Sequence, residues 1–197
     1  MQKIIKNQIR SSLDLEQKLL EMPHIIEEIE KSSHAIISAY RKRNKLLIAG
    51  NGGSAADAQH IAAELVNRFG FDRPGLNAIA LTTDTSILTS VGNDSGFEKI
   101  FARQADALGN EGDVFIALST SGNSGNLIEA LKICRGKKIV TIGFTGSTGG
   151  KMADLCDICI KIPSNDTPRI QEVHILIGHI ICSIVEEELF GSHKSEK

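Results

Sequence analysis

The rhythm of apolar positions changes near Lys45. Before it, apolar residues recur at helical spacing in two segments. The first covers residues 2–21. The second opens at Pro23, and Ile25, Ile26, Ile29, Ile36, Ile37 and Tyr40 give it a broad apolar face up to Arg43. Beyond Lys45, short apolar runs alternate with helical stretches. Residues 46–49 form a strand that ends in Gly50-Asn51-Gly52-Gly53. A helix follows, with Ser54 as its cap, Asp57 as a capping-box partner and Gly70 as its stop. Residues 78–81 are a second strand, followed by helical stretches at 83–91 and 97–108. A third strand, 113–118, runs into Ser119-Thr120-Ser121-Gly122-Asn123-Ser124 and a helix to about residue 135. Residues 138–144 are a fourth strand, 145–150 a turn-rich stretch, 156–162 a fifth strand, and 168–190 a long helix. Strands separated by helices predict a three-layer α/β sandwich around a parallel five-stranded sheet, with helices at the N-terminus. The expected organisation is one domain over residues 1–197, with helices in 1–44 and the α/β core in 45–190.

Composition narrows the class. The chain has 197 residues, 41% hydrophobic and 23% charged, with 18 Gly and 4 Pro, which fits a globular domain rather than a disordered or fibrous one. A net charge of −2 gives no footprint for nucleic acid. The basic cluster Arg41-Lys42-Arg43 with Lys45 reads as charge that complements a helix end. The N-terminus lacks the apolar core of a signal peptide, and the apolar stretch 173–185 is too short to span a bilayer. The expectation is therefore a cytoplasmic protein without membrane or nucleic-acid partners. Of the four cysteines, Cys156 and Cys159 match CxxC, but no second pair exists and they fall on a strand, so all four read as reduced core thiols.

Two loops are built for an anion. The glycine loop lets backbone N–H groups approach a ligand, and the hydroxyl-rich loop starts a helix, so together they can hold a phosphate without Lys or Arg. Alone, the glycine loop also fits a dinucleotide fingerprint, which would want an acidic residue closing the second strand; Asp84 is only loosely placed for that. The hydroxyl-rich loop has no role in such a fingerprint, and two phosphate-type loops favour a sugar phosphate with no nucleotide cofactor.

His60 and Glu64 share one helix face, a spacing that by itself is a common surface ion pair. Gln171, His174 and His179 lie on an otherwise Ile- and Leu-rich helix, and three polar groups there ask for a shared explanation. His60, Glu64, the Gln171 amide oxygen and His179 make a ligand set for zinc or a similar divalent ion.

Several segments, taken in order, resemble the phosphoheptose isomerase family of the sugar isomerase (SIS) superfamily. They are Ala49-Gly50-Asn51-Gly52-Gly53-Ser54-Ala55-Ala56-Asp57, Gln59-His60-x-x-x-Glu64, Val91-Gly92-Asn93-Asp94, Leu118 through Ser124, and Arg169-Ile170-Gln171-Glu172-x-His174. The resemblance implies conversion of sedoheptulose 7-phosphate to D-glycero-D-manno-heptose 7-phosphate, for bacterial surface polysaccharides. It implies Glu64 and His179 as the acid/base pair and one zinc ion on His60, Glu64, Gln171 and His179. It implies substrate contacts from Asn51, Gly52, Gly53, Glu64, Asn93, Asp94, Ser119, Thr120, Ser121, Ser124 and Gln171. The rival readings are a non-catalytic relative that binds the replication initiator DnaA, a sugar-phosphate-sensing module of a transcription regulator, and a dinucleotide oxidoreductase. The presence of both Glu64 and His179 argues against the first, and the lack of a basic N-terminal face against the second.

A last expectation concerns assembly. Gln171 and His179 are separated by about 12 Å of helical rise and roughly 80° of rotation. They could converge on one ion only at full stretch. A neighbouring subunit supplying one of them would relax that demand, as would an irregular helix start near Pro168 or a bend at Gly178. With the apolar face of the N-terminal helices, the expectation is a homo-oligomer, a homotetramer, whose sites combine residues from different chains, Glu64 and His179 being the pair to test.

Overall fold

The computed structural model describes residues 1–191. Helices α1 (Gln2–Leu20) and α2 (Pro23–Arg41) lead into β1 (Leu46–Gly50), α3 (Gly53–Val66), β2 (Ala78–Ala80), α4 (Thr85–Ser95) and α5 (Ile100–Leu108). Then come β3 (Val114–Ser119), α6 (Gly125–Gly136), β4 (Val140–Thr145), β5 (Ile158–Lys161) and α7 (Thr167–Phe190). The five strands pair in parallel in the order β2-β1-β3-β4-β5.

The core forms as two apolar layers because residues alternate across the strands. Leu46, Ile48, Val114, Ile116, Leu118, Ile142 and Phe144 pack toward α2, α3 and α7 on one face. Leu47, Ala49, Phe115 and Ala117 pack toward α5 and α6 on the other. Helices α3 and α7 lie side by side, and Gly178 sits where a side chain would meet Ile61, its Cβ position being 2.8 Å from Ile61 Cδ1. The long helix is unbroken there, so Gly178 is a point of close approach.

Element ends differ from expectation at informative places. Helix α3 begins at Gly53 with Gly52 as its N-cap, two residues before the predicted cap Ser54, and no side chain caps it. Ser54 is buried inside its first turn, and Asp57 Oδ2 is buried with no partner, so the predicted capping box is absent. The helix also stops at Val66, short of Gly70, and its end is finished by a distant arginine described below. Helix α4 runs to Ser95, which places Asn93 and Asp94 on its last turn.

The strand order fixes where a ligand can sit. The sheet grows outward from β1 in one direction to β2 and in the other to β3, so the connections leaving β1 and β3 diverge to opposite faces. That divergence opens a crevice at the carboxyl ends of these two neighbours. The glycine loop and the hydroxyl-rich loop are the two segments that leave those ends.

Candidate active site

The two loops are tied together by a reciprocal amide pair. Asn51 Nδ2 donates to Asn126 Oδ1 (3.0 Å), and Asn126 Nδ2 donates to Asn51 Oδ1 (2.8 Å). Asn51 therefore works first as a clamp that sets the spacing of the loops. Gly53 is glycine because Gln171, reaching over from α7, fills the space a side chain would take: a Cβ would stand 2.6 Å from Gln171 Nε2. This contact brings Gln171 to the start of α3.

In the second loop, Ser119 Oγ lies 2.9 Å from Ser124 Oγ and 3.4 Å from Ser121 Oγ. Ser121 Oγ also accepts from the Asn123 backbone N–H at 3.1 Å. Ser124 precedes α6 but turns its hydroxyl to Ser119 instead of capping the helix. The starts of α3 and α6 thus both lack a side-chain cap, which leaves positive helix ends to attract an anion. Gly122 holds the loop's tight corner at φ +65°, with the Gly149 carbonyl 2.1 Å from where a Cβ would be. The Thr120 carbonyl accepts from the Gly146 N–H, linking the loop to the end of β4.

At the flank of α3, three side chains converge. His60 Nε2 lies 2.8 Å from His179 Nε2 and 3.3 Å from Glu64 Oε1. The candidate ligand atoms of His60, Glu64 and His179 all lie within 4.8 Å of one another. Two imidazole nitrogens and a carboxylate oxygen suit zinc, whose tetrahedral ligands stand about 3.3 Å apart at ordinary bond lengths. The His60–Glu64 spacing already matches that, while the two histidine nitrogens are at hydrogen-bond distance and would part slightly. The donor set fits a divalent ion. The Phe69 ring closes one side, 5.5 Å from the His179 ring.

All three residues belong to one chain. Glu64 and His179 therefore need no second chain in order to meet. Neighbouring turns of α3 and α7 bring these three together, whereas Gln171, two turns earlier on α7, reaches the start of α3 at Gly53.

Asn93 and Asp94 are hydrogen-bonded to each other, Asn93 Nδ2 to Asp94 Oδ1 at 2.7 Å, at the exposed end of α4. Asp94 also lines a cavity of about 590 Å³ with Ser90, Lys99 and Glu129, apart from the histidine cluster. His174 shares α7 with the site residues but is 0% exposed. Its Nε2 lies 3.2 Å from the Thr145 carbonyl, which makes that nitrogen the protonated one. Burial lowers its pKa to about 4, against the opposing effect of that carbonyl, so the ring is a neutral tie between α7 and β4. Sequence reasoning missed Phe69, Arg73 and Glu186. Glu186 is a buried carboxylate on an apolar helix, two turns beyond His179, and that pattern was the available signal.

Comparison with known proteins bears on this geometry. The SIS domain family matches residues 14–146. A phosphoheptose isomerase of Aneurinibacillus thermoaerophilus is 58% identical over 190 residues, covering 96% of both chains. The chain belongs to the phosphoheptose isomerase family. Phosphoheptose isomerase 2 of Campylobacter jejuni is 60% identical over 187 residues, covering 95% of this chain and 93% of that one. The solved phosphoheptose isomerase GmhA of Neisseria gonorrhoeae superposes with a TM-score of 0.88 at 40% identity, covering 94% of this chain and 98% of that one. The SIS fold expected from the motifs is the fold observed. Family membership speaks for an isomerase over the DnaA-binding alternative.

Proposed function

We propose that the chain interconverts D-sedoheptulose 7-phosphate and D-glycero-D-manno-heptose 7-phosphate through an enediol, in bacterial heptose biosynthesis. The convergence of His60, Glu64 and His179 beside two anion-binding loops at one sheet crevice carries the reading.

Moving a carbonyl between C1 and C2 requires a carbon-bound proton to be lifted and returned one carbon away. Glu64 suits that step as the base, and the His179 imidazole suits proton movement between the two oxygens near neutral pH. Ser119, Thr120, Ser121 and Ser124 hold the phosphate with the start of α6, while Gly52, Gly53, Asn93, Asp94 and Gln171 orient the sugar. Asn51 has its amide committed to Asn126, so its contribution to the substrate is the placement of the glycine loop. His60, Glu64, Gln171 and His179 would hold a zinc ion, which when bound polarises the carbonyl and stabilises the oxyanion as a Lewis acid.

The protein is a single-domain cytoplasmic enzyme in this reading, and a homotetramer. No described helix is long and apolar enough to cross a membrane. Helix α1 presents Ile5, Ile9 and Leu13 to solvent on one stripe, each more than half exposed, which supports burial against further copies of the chain. The direct test is to supply sedoheptulose 7-phosphate and follow the aldose phosphate, before and after chelation and after return of zinc. An aldose product lost on chelation and restored by zinc is expected; its absence from the zinc-loaded protein would refute the reading.

A further inference from the structure

The end of α3 has an unusual finish. Its last carbonyls have no glycine cap, and a helix end left that way would be short of partners. Arg73, arriving from the loop beyond, supplies them. Its Nη2 donates to the Glu64 carbonyl at 2.9 Å, and its Nη1 donates to the carbonyls of Leu65 (2.6 Å), Asn67 (3.3 Å) and Pro74 (3.0 Å). The Nε of the same guanidinium donates to Glu186 Oε2 at 3.0 Å.

Glu186 completes the arrangement from α7. Its carboxylate accepts the backbone N–H groups of Phe69 (2.8 Å), Gly70 (2.5 Å) and Phe71 (3.2 Å). Both side chains of the pair are sealed from water, at 1% and 2% exposure. A buried carboxylate with four donors and a guanidinium hydrogen-bonded through each of its three nitrogens meet the condition under which such a pair holds geometry instead of costing stability.

The location gives the pair a role. Glu186 lies two turns after His179, so both residues face α3 from the same side of α7. Helices α3 and α7 are thereby pinned at two levels, by His60, Glu64 and His179 above and by Arg73 and Glu186 below. Arg73 holds the backbone carbonyl of Glu64 itself. The three N–H groups held by Glu186 begin with that of Phe69, whose ring lies against His179.

We propose that Arg73 and Glu186 are positioning residues that set the spacing of Glu64 against His179, and so tune both the affinity for the divalent ion and the chemical step. The proposal rests on the metal reading given above. It assigns the pair no contact with substrate.

The experiment compares zinc-loaded wild type with Glu186→Gln and Glu186→Asp. Glutamine keeps the size but loses the charge, and aspartate keeps the charge but retracts the carboxylate. Zinc affinity is read by competition with a chromophoric chelator, at a temperature well below each protein's unfolding midpoint. Steady-state kinetics with sedoheptulose 7-phosphate follow under zinc saturation.

The expected result is a zinc affinity reduced about 10-fold or more, the range for losing a group that orients metal ligands. A fall in kcat with KM nearly unchanged is expected alongside it, because the phosphate loops lie elsewhere. Unchanged zinc affinity and kcat in folded variants would overturn the proposal, leaving the pair a stability element only. Failure of both variants to fold would overturn it too, by assigning the pair to folding. Wild type that binds no zinc would instead overturn the metal reading on which the proposal stands.

Discussion

Under the proposed phosphate assignment, Ser121 is the residue whose replacement would separate binding from chemistry. Its hydroxyl lies beside Ser119 and receives the Asn123 N–H, at the start of α6 and away from the His60–Glu64–His179 cluster. Ser121→Ala is expected to raise KM several-fold, roughly the effect of losing 1 kcal/mol of hydrogen bonding, with kcat changed less. Steady-state kinetics check this, and an unchanged KM with a reduced kcat would contradict the phosphate assignment. His174 makes a prediction in pH. Its folded pKa of about 4 lies below the ordinary histidine value of 6.5, so the unfolded chain binds the extra proton first. The contribution to stability is therefore whole above pH 6.5 and declines as pH falls toward 4, by up to about 1.4 kcal/mol per pH unit. Urea unfolding across that window should show the decline in wild type and a shallower one in His174→Asn. Both residues were visible in the sequence for different reasons. The hydroxyl run announced an anion loop, whereas His174 could be told from a ligand only by its burial and its tie to Thr145.

Elements were legible where periodicity and punctuation agreed. The rhythm of the first two helices and the five apolar runs placed every strand, and Pro168 marked the start of α7 closely. Capping was less legible. Ser54 and Asp57 fit a capping box by spacing, but Ser54 is drawn into the first turn because Gly52 supplies the helix start. The end of α3 was misplaced toward Gly70 because its partner, Arg73, is a tertiary contact that no local pattern carries. Removing that contact tests its weight. Arg73→Ala leaves Glu186 buried without its cation and the α3 carbonyls without donors, so a loss of about 3–5 kcal/mol is expected. Chemical denaturation checks this, and a loss below about 1 kcal/mol would show that α3 is secured by packing alone.

For the whole molecule, sheet order was the part beyond sequence. Alternating strands and helices imply a parallel sheet but not which strands are neighbours. Only the order β2-β1-β3-β4-β5 shows that the two loops meet in one crevice. Helical spacing let Gln171 and His179 reach one ion only at full stretch, and it says nothing of how α3 lies along α7, which is what brings His60, Glu64 and His179 together. With His60, Glu64 and His179 in one chain, co-expression of Glu64→Gln and His179→Gln should restore no activity. Partial recovery would show that the pair is shared between chains. Association itself is tested by Ile9→Glu with Leu13→Glu on the exposed stripe of α1. Sedimentation should show a smaller species with helical content retained, and an unchanged mass would place the interface elsewhere. The central claim is that this molecule is a heptose-phosphate isomerase with Glu64 as its base. The most direct measurement is turnover of sedoheptulose 7-phosphate by wild type beside Glu64→Gln, both zinc-loaded and both shown to be folded. The account predicts aldose phosphate from wild type and turnover lower by at least ~10²-fold in the variant, the lower range for losing general acid–base catalysis. No product from wild type, or near-normal turnover in the variant, would contradict it.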